Sequence, residues 1–267
     1  MDPVILCQRL SHSFAGRRVL DGLDLAVPRG AIAALLGDNG AGKSTTFRIL
    51  TGQIRAEGGV ATLLGEHCWH AAQRLRLRVG YCPEKPRFYD WMTVSEIGQF
   101  TAAFHASGFR ARYQGLVERF DLDSNQRLGK LSKGGYAKVG LALALAIEPE
   151  VLLLDEPTSG LDLFTRREFL SSMAAQAGEG KTILISSHSV GEVERVVSHV
   201  IFVAQGRVLM AGSLEELRER LTRVRIRHAG AGFQADLLGD VLDAESSGRD
   251  WQGVVEVSSP SAVEALR

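Results

Sequence analysis

Nine residues, GDNGAGKST (37–45), constrain what this chain can fold into more than any other stretch. They satisfy the pattern G-x-x-x-x-G-K-[ST] and stand between a nearly unbroken apolar run, AIAALLG (31–37), and a helical run, TTFRILTG (45–52). Gly37, Gly40 and Gly42 let the backbone fold around phosphates, so that its N–H groups and the following helix N-terminus face the negative charge. Lys43 is placed to reach the β and γ phosphates, Ser44 to bind Mg²⁺ and Thr45 to make a further phosphate contact, with Asn39 in the same nucleotide-binding loop. A glycine turn with an incidental lysine is the bland reading, and the strand before and helix after argue against it.

An acidic stretch, VLLLDEPTSGLD (151–162), supplies what phosphoryl transfer needs beside such a loop. A buried strand delivers Asp155 and Glu156 at its carboxyl end, where ligands sit in open parallel sheets. Asp155 is expected to hold Mg²⁺ through water, and Glu156 to orient or deprotonate the attacking water. AIAALLG, VLLLD (151–155) and TILIS (182–186) are apolar throughout, which suits strands covered on both faces. Residues 4–10 and 19–27 read as strands too, the second half-exposed, whereas 93–148 read as helices: VSEIGQFTAAF, YQGLVERFDL and GYAKVGLALALAI. The fold class is therefore α/β with a helical insertion. After Gly212, Ser213 and Glu216 form a capping box opening LEELRERL, and VRIRH and GVVEVS read as strands of a small α/β tail.

Composition narrows the functional classes. Lys plus Arg equals Asp plus Glu at 31 each, so the overall balance gives no electrostatic grip on nucleic acid or an anionic membrane. Three cysteines, Cys7, Cys68 and Cys82, form no CxxC pair, which fits a reducing, cytoplasmic compartment. No apolar run reaches the roughly 18 residues of a membrane span, and the start, MDPVILCQRL, lacks the pattern of a signal peptide. Any membrane role then needs another chain to supply the spans.

With LSKGG (131–135), about twenty positions before the acidic strand, the chain resembles the ATP-binding cassette (ABC) family over roughly residues 4–212. The resemblance implies a P-loop NTPase core with an antiparallel β subdomain, a helical insertion and a small C-terminal α/β tail. It places a nucleotide-binding domain at 1–212, with its helical subdomain at about 88–148, and an accessory tail at 213–267. It also implies ATP sandwiched in a head-to-tail dimer, with Ser132 and Gly134 contacting the γ-phosphate held by a second ABC subunit. Phe14 matches the aromatic that stacks on adenine, Asp162 in SGLD (159–162) the acid of the loop between the two sites, and His188 the histidine that touches the γ-phosphate. The bland alternatives are a core phenylalanine, a helix-capping Ser132 and a structural histidine.

Glu84, at the end of VGYCP (79–83), stands where many relatives carry a glutamine that helps coordinate Mg²⁺ and couples the ATP site to a membrane partner. A carboxylate is a competent Mg²⁺ ligand but repels the γ-phosphate when the metal is absent. Phe88, Tyr89, Trp91 and Met92 are either the dock for that partner or core of the insertion. Lys133 and Gly135 depart from the usual glycine and glutamine of the signature, and both Glu84 and Lys133 occur in the exporter-like branch. The resemblance thus implies an ATPase subunit that drives export through a separately encoded transmembrane subunit, peripheral on the cytoplasmic face of the membrane. Its alternatives are a soluble ABC-type ATPase acting on ribosomes or DNA, and a regulatory cassette with little hydrolysis.

Overall fold

The computed structural model describes residues 3–105, 107–226, 240–247 and 250–256. Two compact units divide the chain, Met1–Ala211 and Gly212–Arg267.

The first unit is built on a six-stranded sheet of order β10-β9-β3-β8-β7-β6. Its strands are Ile32–Leu36 (β3), Val79–Cys82 (β6), Val151–Leu154 (β7), Thr182–Ser187 (β8), His199–Ala204 (β9) and Arg207–Ser213 (β10). The apolar runs read from the sequence form its centre: every residue of β3, β7 and β8 is buried, as expected of strands covered on both faces. Strands β6, β7, β8, β3 and β9 all run parallel, with Cys82 beside Leu154, Leu154 beside Ile185 and Leu36 beside Ser187. Their direction brings the carboxyl ends of β3, β6, β7 and β8 to one edge of the sheet. The loop 37–42, Glu84, the Asp155–Glu156 pair and His188 follow those four ends directly.

A second, four-stranded antiparallel sheet has the order β2-β1-β4-β5, from Pro3–Phe14 (β1), Arg17–Pro28 (β2), Gly58–Leu63 (β4) and Glu66–His67 (β5). Between the sheets lies one apolar core in which Ile5, Leu10, Leu20, Leu23, Leu35 and Phe47 are fully buried. Phe47 comes from helix Lys43–Leu50 (α1), and the short helix Ala72–Leu75 (α2) adds Leu75 to the same core.

The helical insertion comprises Val94–Ala102 (α3), Phe109–Arg119 (α4) and Lys133–Ala146 (α5). Thr93 and Glu96 form a reciprocal capping box at the start of α3, fixing where the insertion begins. Helix α4 starts and stops earlier than the sequence pattern suggests, because Asp121 takes a left-handed conformation (φ 53°) that ends it. Phe109, Tyr113, Leu128 and Val139 fill a separate core here, and the Tyr113 hydroxyl donates to Val94 O at 2.8 Å. Met92 is buried in this core and Phe88 packs against it, whereas Tyr89 and Trp91 are exposed. The aromatic cluster is therefore divided: half of it is core and half of it is surface.

Helices Leu163–Gly178 (α6) and Val190–Val193 (α7) follow β7 and β8. The second unit carries Leu214–Arg220 (α8), opened by the Ser213–Glu216 capping box, and a three-stranded antiparallel sheet of Leu221–Ile226 (β11), Asp240–Ser247 (β12) and Asp250–Glu256 (β13), with β13 central. The ends of the VRIRH and GVVEVS stretches, His228 included, lie outside the described residues.

Candidate nucleotide site

Two glycines make the 37–45 loop sterically possible. A Cβ on Gly37 would lie 2.2 Å from Val203 O, and one on Gly42 would lie 2.6 Å from Leu20 Cδ2. Gly42 also has φ 109°, a conformation L side chains rarely adopt, and it is the N-cap of α1. No side chain caps that helix, so its first-turn N–H groups are left to an external anion. Lys43 is buried, and its Nζ donates to Gly37 O at 2.5 Å and to Asp38 O at 3.2 Å. The ammonium is thereby held inside the loop.

Across from it, Asp155 is buried and accepts a 2.7 Å hydrogen bond from Ser186 Oγ on its Oδ1. The same Ser186 oxygen accepts the Glu156 N–H at 2.7 Å. One hydroxyl on β8 therefore fixes both acids at the end of β7, a residue the sequence reading passed over as the end of an apolar strand. Glu156 has φ 46°, a left-handed conformation costly for a non-glycine residue, of order 1–3 kcal/mol. Its carboxylate lies between two bases: Oε1 is 3.1 Å from Lys43 Nζ and Oε2 is 2.9 Å from His188 Nδ1. A carboxylate partner makes Nδ1 the protonated nitrogen and leaves Nε2 as the free one.

Burial holds the Asp155 carboxyl above its ordinary range; the hydroxyls of Ser186 and Ser44 oppose this, and the charges of Glu84 and Glu156 add to it. A carboxyl raised in the folded state contributes full stability only below its unfolded value, and that contribution is lost as pH rises through the folded one. Ionised Asp155 therefore destabilises the nucleotide-free protein at neutral pH. Asp155→Asn is expected to raise the melting temperature where Asp155 is ionised, with the gain shrinking as pH falls through the raised folded-state value. Melting curves of both proteins across that fall in pH check this; a gain that stays constant or widens on acidification contradicts it.

These groups surround a cavity of about 450 Å³, lined by Asp38, Asn39, Gly40, Gly42, Lys43, Ser44, Thr45, Glu84, Glu156 and His188, together with Val19, Lys85 and Ser159. Glu84 thus reaches the site, its carboxylate 3.3 Å from Lys85 Nζ. The Ser44 hydroxyl and the Glu84 charge both act on the Asp155 carboxyl, which brings a hydroxyl and two carboxylates together. That donor set fits Mg²⁺, which takes one or two carboxylates and leaves the rest of its shell to water and phosphate oxygens. Phe14 does not line the cavity; it is 42% exposed at the end of β1, with its ring edge-on to His12. Ser132, Gly134 and Asp162 do not line it either. Ser132 caps α5 by accepting the Gly135 N–H at 3.1 Å, and Asp162 accepts from the Thr165 N–H and hydroxyl at 3.0 and 2.7 Å.

A sequence profile of the family described as ABC transporter matches residues 20–159, from β2 through the acidic strand. The chain belongs to the ABC transporter family. It is an ATP-binding, ATP-hydrolysing transporter subunit with the P-loop cassette fold, and cassettes of this family pair with one another and work with transmembrane subunits. An uncharacterized ABC transporter ATP-binding protein of Synechocystis sp. is 35% identical over 252 residues, covering 91% of this chain and 70% of its own. The daunorubicin resistance ATP-binding protein DrrA2 of Streptomyces coeruleorubidus is 31% identical, covering 98% and 84%. Among solved structures, the ATP-binding subunit of an ABC transporter superposes with a TM-score of 0.74 at 29% identity, over 81% of this chain and 92% of that one. The cassette of CbiO1 from Clostridium perfringens, part of a larger ABC transporter complex, superposes with a TM-score of 0.72 at 26% identity, over 82% and 92%. These alignments extend well beyond the loop and the acidic strand, so the cassette as a whole is shared.

Proposed function

We propose that this cassette powers export through a separately encoded transmembrane subunit, as one of two cassettes that close on ATP at the cytoplasmic face of the membrane. The observation that carries the hydrolytic half is Glu156 in contact with both Lys43 and His188 at the edge where four parallel strands end. Phosphates entering the loop compete with Glu156 for Lys43, which leaves the carboxylate free to accept a proton. Glu156 then takes that proton from a water whose oxygen bonds to the γ-phosphorus as the bond to the ADP oxygen breaks. His188, held at its Nδ1 by Glu156, stands beside the γ-phosphate position, where Nε2 contacts the phosphate as an N–H donor when both ring nitrogens carry protons, and the first turn of α1 adds its N–H groups. Ser44, Asp155 and Glu84 would hold Mg²⁺, which when bound offsets negative charge on the phosphate oxygens.

The two-cassette reading is supported by where Ser132, Gly134 and Asp162 sit: outside the cavity their own chain forms, on exposed or half-buried surface. A second copy, or a different cassette, supplies the same residues to this site. Phe14, exposed at the end of β1, is then the adenine-stacking surface. The export direction is supported by relatives named for daunorubicin resistance and Nod factor export. No helix among the described residues is long and apolar enough to cross a membrane.

For the membrane partner, the supporting surface is the row Trp91, Tyr89, Phe100 and Phe104, whose ring centroids step 5.8, 5.9 and 5.4 Å apart and whose exposures run from 43 to 68%. Contiguous exposed aromatics of this kind mark interaction sites. Trp91→Asp is expected to move the protein from the membrane fraction to the soluble fraction of cells that express it, with MgATP affinity unchanged. Retention in the membrane fraction with unchanged coupling would reject this face as the dock.

A further inference from the structure

Tyr136 sits one turn into α5, where its N–H donates to Ser132 O at 2.9 Å. Its phenol oxygen accepts the Phe88 N–H at 2.9 Å, and the two rings lie 4.9 Å apart between centroids. One turn further on, Gly140 leaves no room: a Cβ there would lie 3.2 Å from Cys82 Sγ, 3.4 Å from Pro86 Cγ and 3.7 Å from Phe88 Cζ. The stretch 82–88 is thus held against successive turns of α5. That stretch carries Glu84 into the nucleotide cavity, while α5 carries Ser132 at its N-cap. Pro83 and Pro86 fix the φ angles on either side of the Glu84–Lys85 pair.

We propose that Tyr136 is a positioning residue that fastens the Glu84 loop to α5, so that a displacement of Glu84 by arriving nucleotide is delivered to Ser132. This rests on the reading of the cavity as an ATP site. The chain of contacts is short: Glu84 to Phe88 along a four-residue step whose Pro86 and Phe88 pack on Gly140 of α5, Phe88 N–H to the Tyr136 phenol, and the Tyr136 N–H to Ser132 O. The phenol is the one element of this chain that a conservative change removes. Tyr136→Phe keeps the ring against Phe88 and deletes only the acceptor, leaving the Phe88 amide unpaired.

Hydrogen exchange on this chain tests the fastening role, in the Glu156→Gln background so that ATP persists and at a dilution where light scattering shows a monomer, so that contacts across a closed pair do not contribute. With Tyr136 present, MgATP is expected to slow exchange at 37–45 and to change it together at 84–90 and 132–138. With Tyr136→Phe, the changes at 37–45 and 84–90 remain, while that at 132–138 falls by about threefold or more. In the chain with Glu156 intact, the same substitution lowers kcat about tenfold and leaves KM within about twofold, with rates taken per MgATP-binding site so that a loss of folded fraction does not count as lost turnover. An undiminished response at 132–138 overturns the fastening role while leaving the ATP site standing. No MgATP-dependent slowing at 37–45 in either protein overturns the ATP site, and the fastening role with it.

Discussion

Glu156→Gln is expected to abolish ATP turnover while leaving MgATP binding intact. The substitution preserves side-chain volume at a residue whose left-handed backbone already aims it at Lys43 and His188, so the site keeps its shape. What disappears is the carboxylate that, among the described residues, touches both of those side chains, and with it the proposed proton acceptor for the attacking water. General-base assistance contributes about 10²–10⁴ in rate, and turnover should fall by that much. Affinity should hold or improve, because a negative charge beside the γ-phosphate has gone. Light scattering of the variant with and without MgATP then reads the second consequence, since ATP that is bound but not cleaved should accumulate a closed pair. Turnover within tenfold of the parent would remove Glu156 from the mechanism.

Lys43→Ala carries the other large effect, this time on binding. Lys43 is a buried cation facing two loop carbonyls and the Glu156 carboxylate. Its loss deletes the charge that the phosphates meet first and leaves Glu156 buried with one partner fewer. Charge-assisted hydrogen bonds contribute about 1.5–3 kcal/mol each, so MgATP affinity is expected to fall about a hundredfold or more. Lys43→Arg should not restore it, because a planar guanidinium does not fit between Gly37 O and Asp38 O in place of a compact ammonium. Titration calorimetry on the three proteins decides the matter; a loss of threefold or less would place the phosphates elsewhere.

Much of this site was legible because its chemistry is local in sequence. The loop 37–45 and the acids at 155 and 156 are contiguous stretches whose flanking apolar runs announce buried parallel strands, and the Ser213–Glu216 capping box is likewise a pattern within four residues. What escaped depends on pairing between distant segments. Ser186 reads as the tail of TILIS, and only the register of β8 beside β7 brings its hydroxyl to residues 30 and 31 positions earlier in the chain. The Tyr136–Phe88 bond spans 48 positions and has no periodic signature at all. The aromatics after Glu84 could not be divided from composition, because Met92 and Trp91 differ in which side of a turn they fall on, and one is buried while the other is 65% exposed. β4, β5, β9, β10 and β12 were not anticipated: Gly58–Leu63 opens on two glycines, Glu66–His67 is two residues long, and Asp240–Ser247 carries three acids that mute its alternation.

The single hydroxyl of Ser186 has an evolutionary corollary. Its oxygen gives a proton to the side chain of one acid and takes one from the backbone of the next, so the two cannot drift apart by separate mutations. Under the proposed roles, a lineage that shifts the acid placed for the metal also re-aims the acid placed for water. A change at position 186 therefore touches both acids at once.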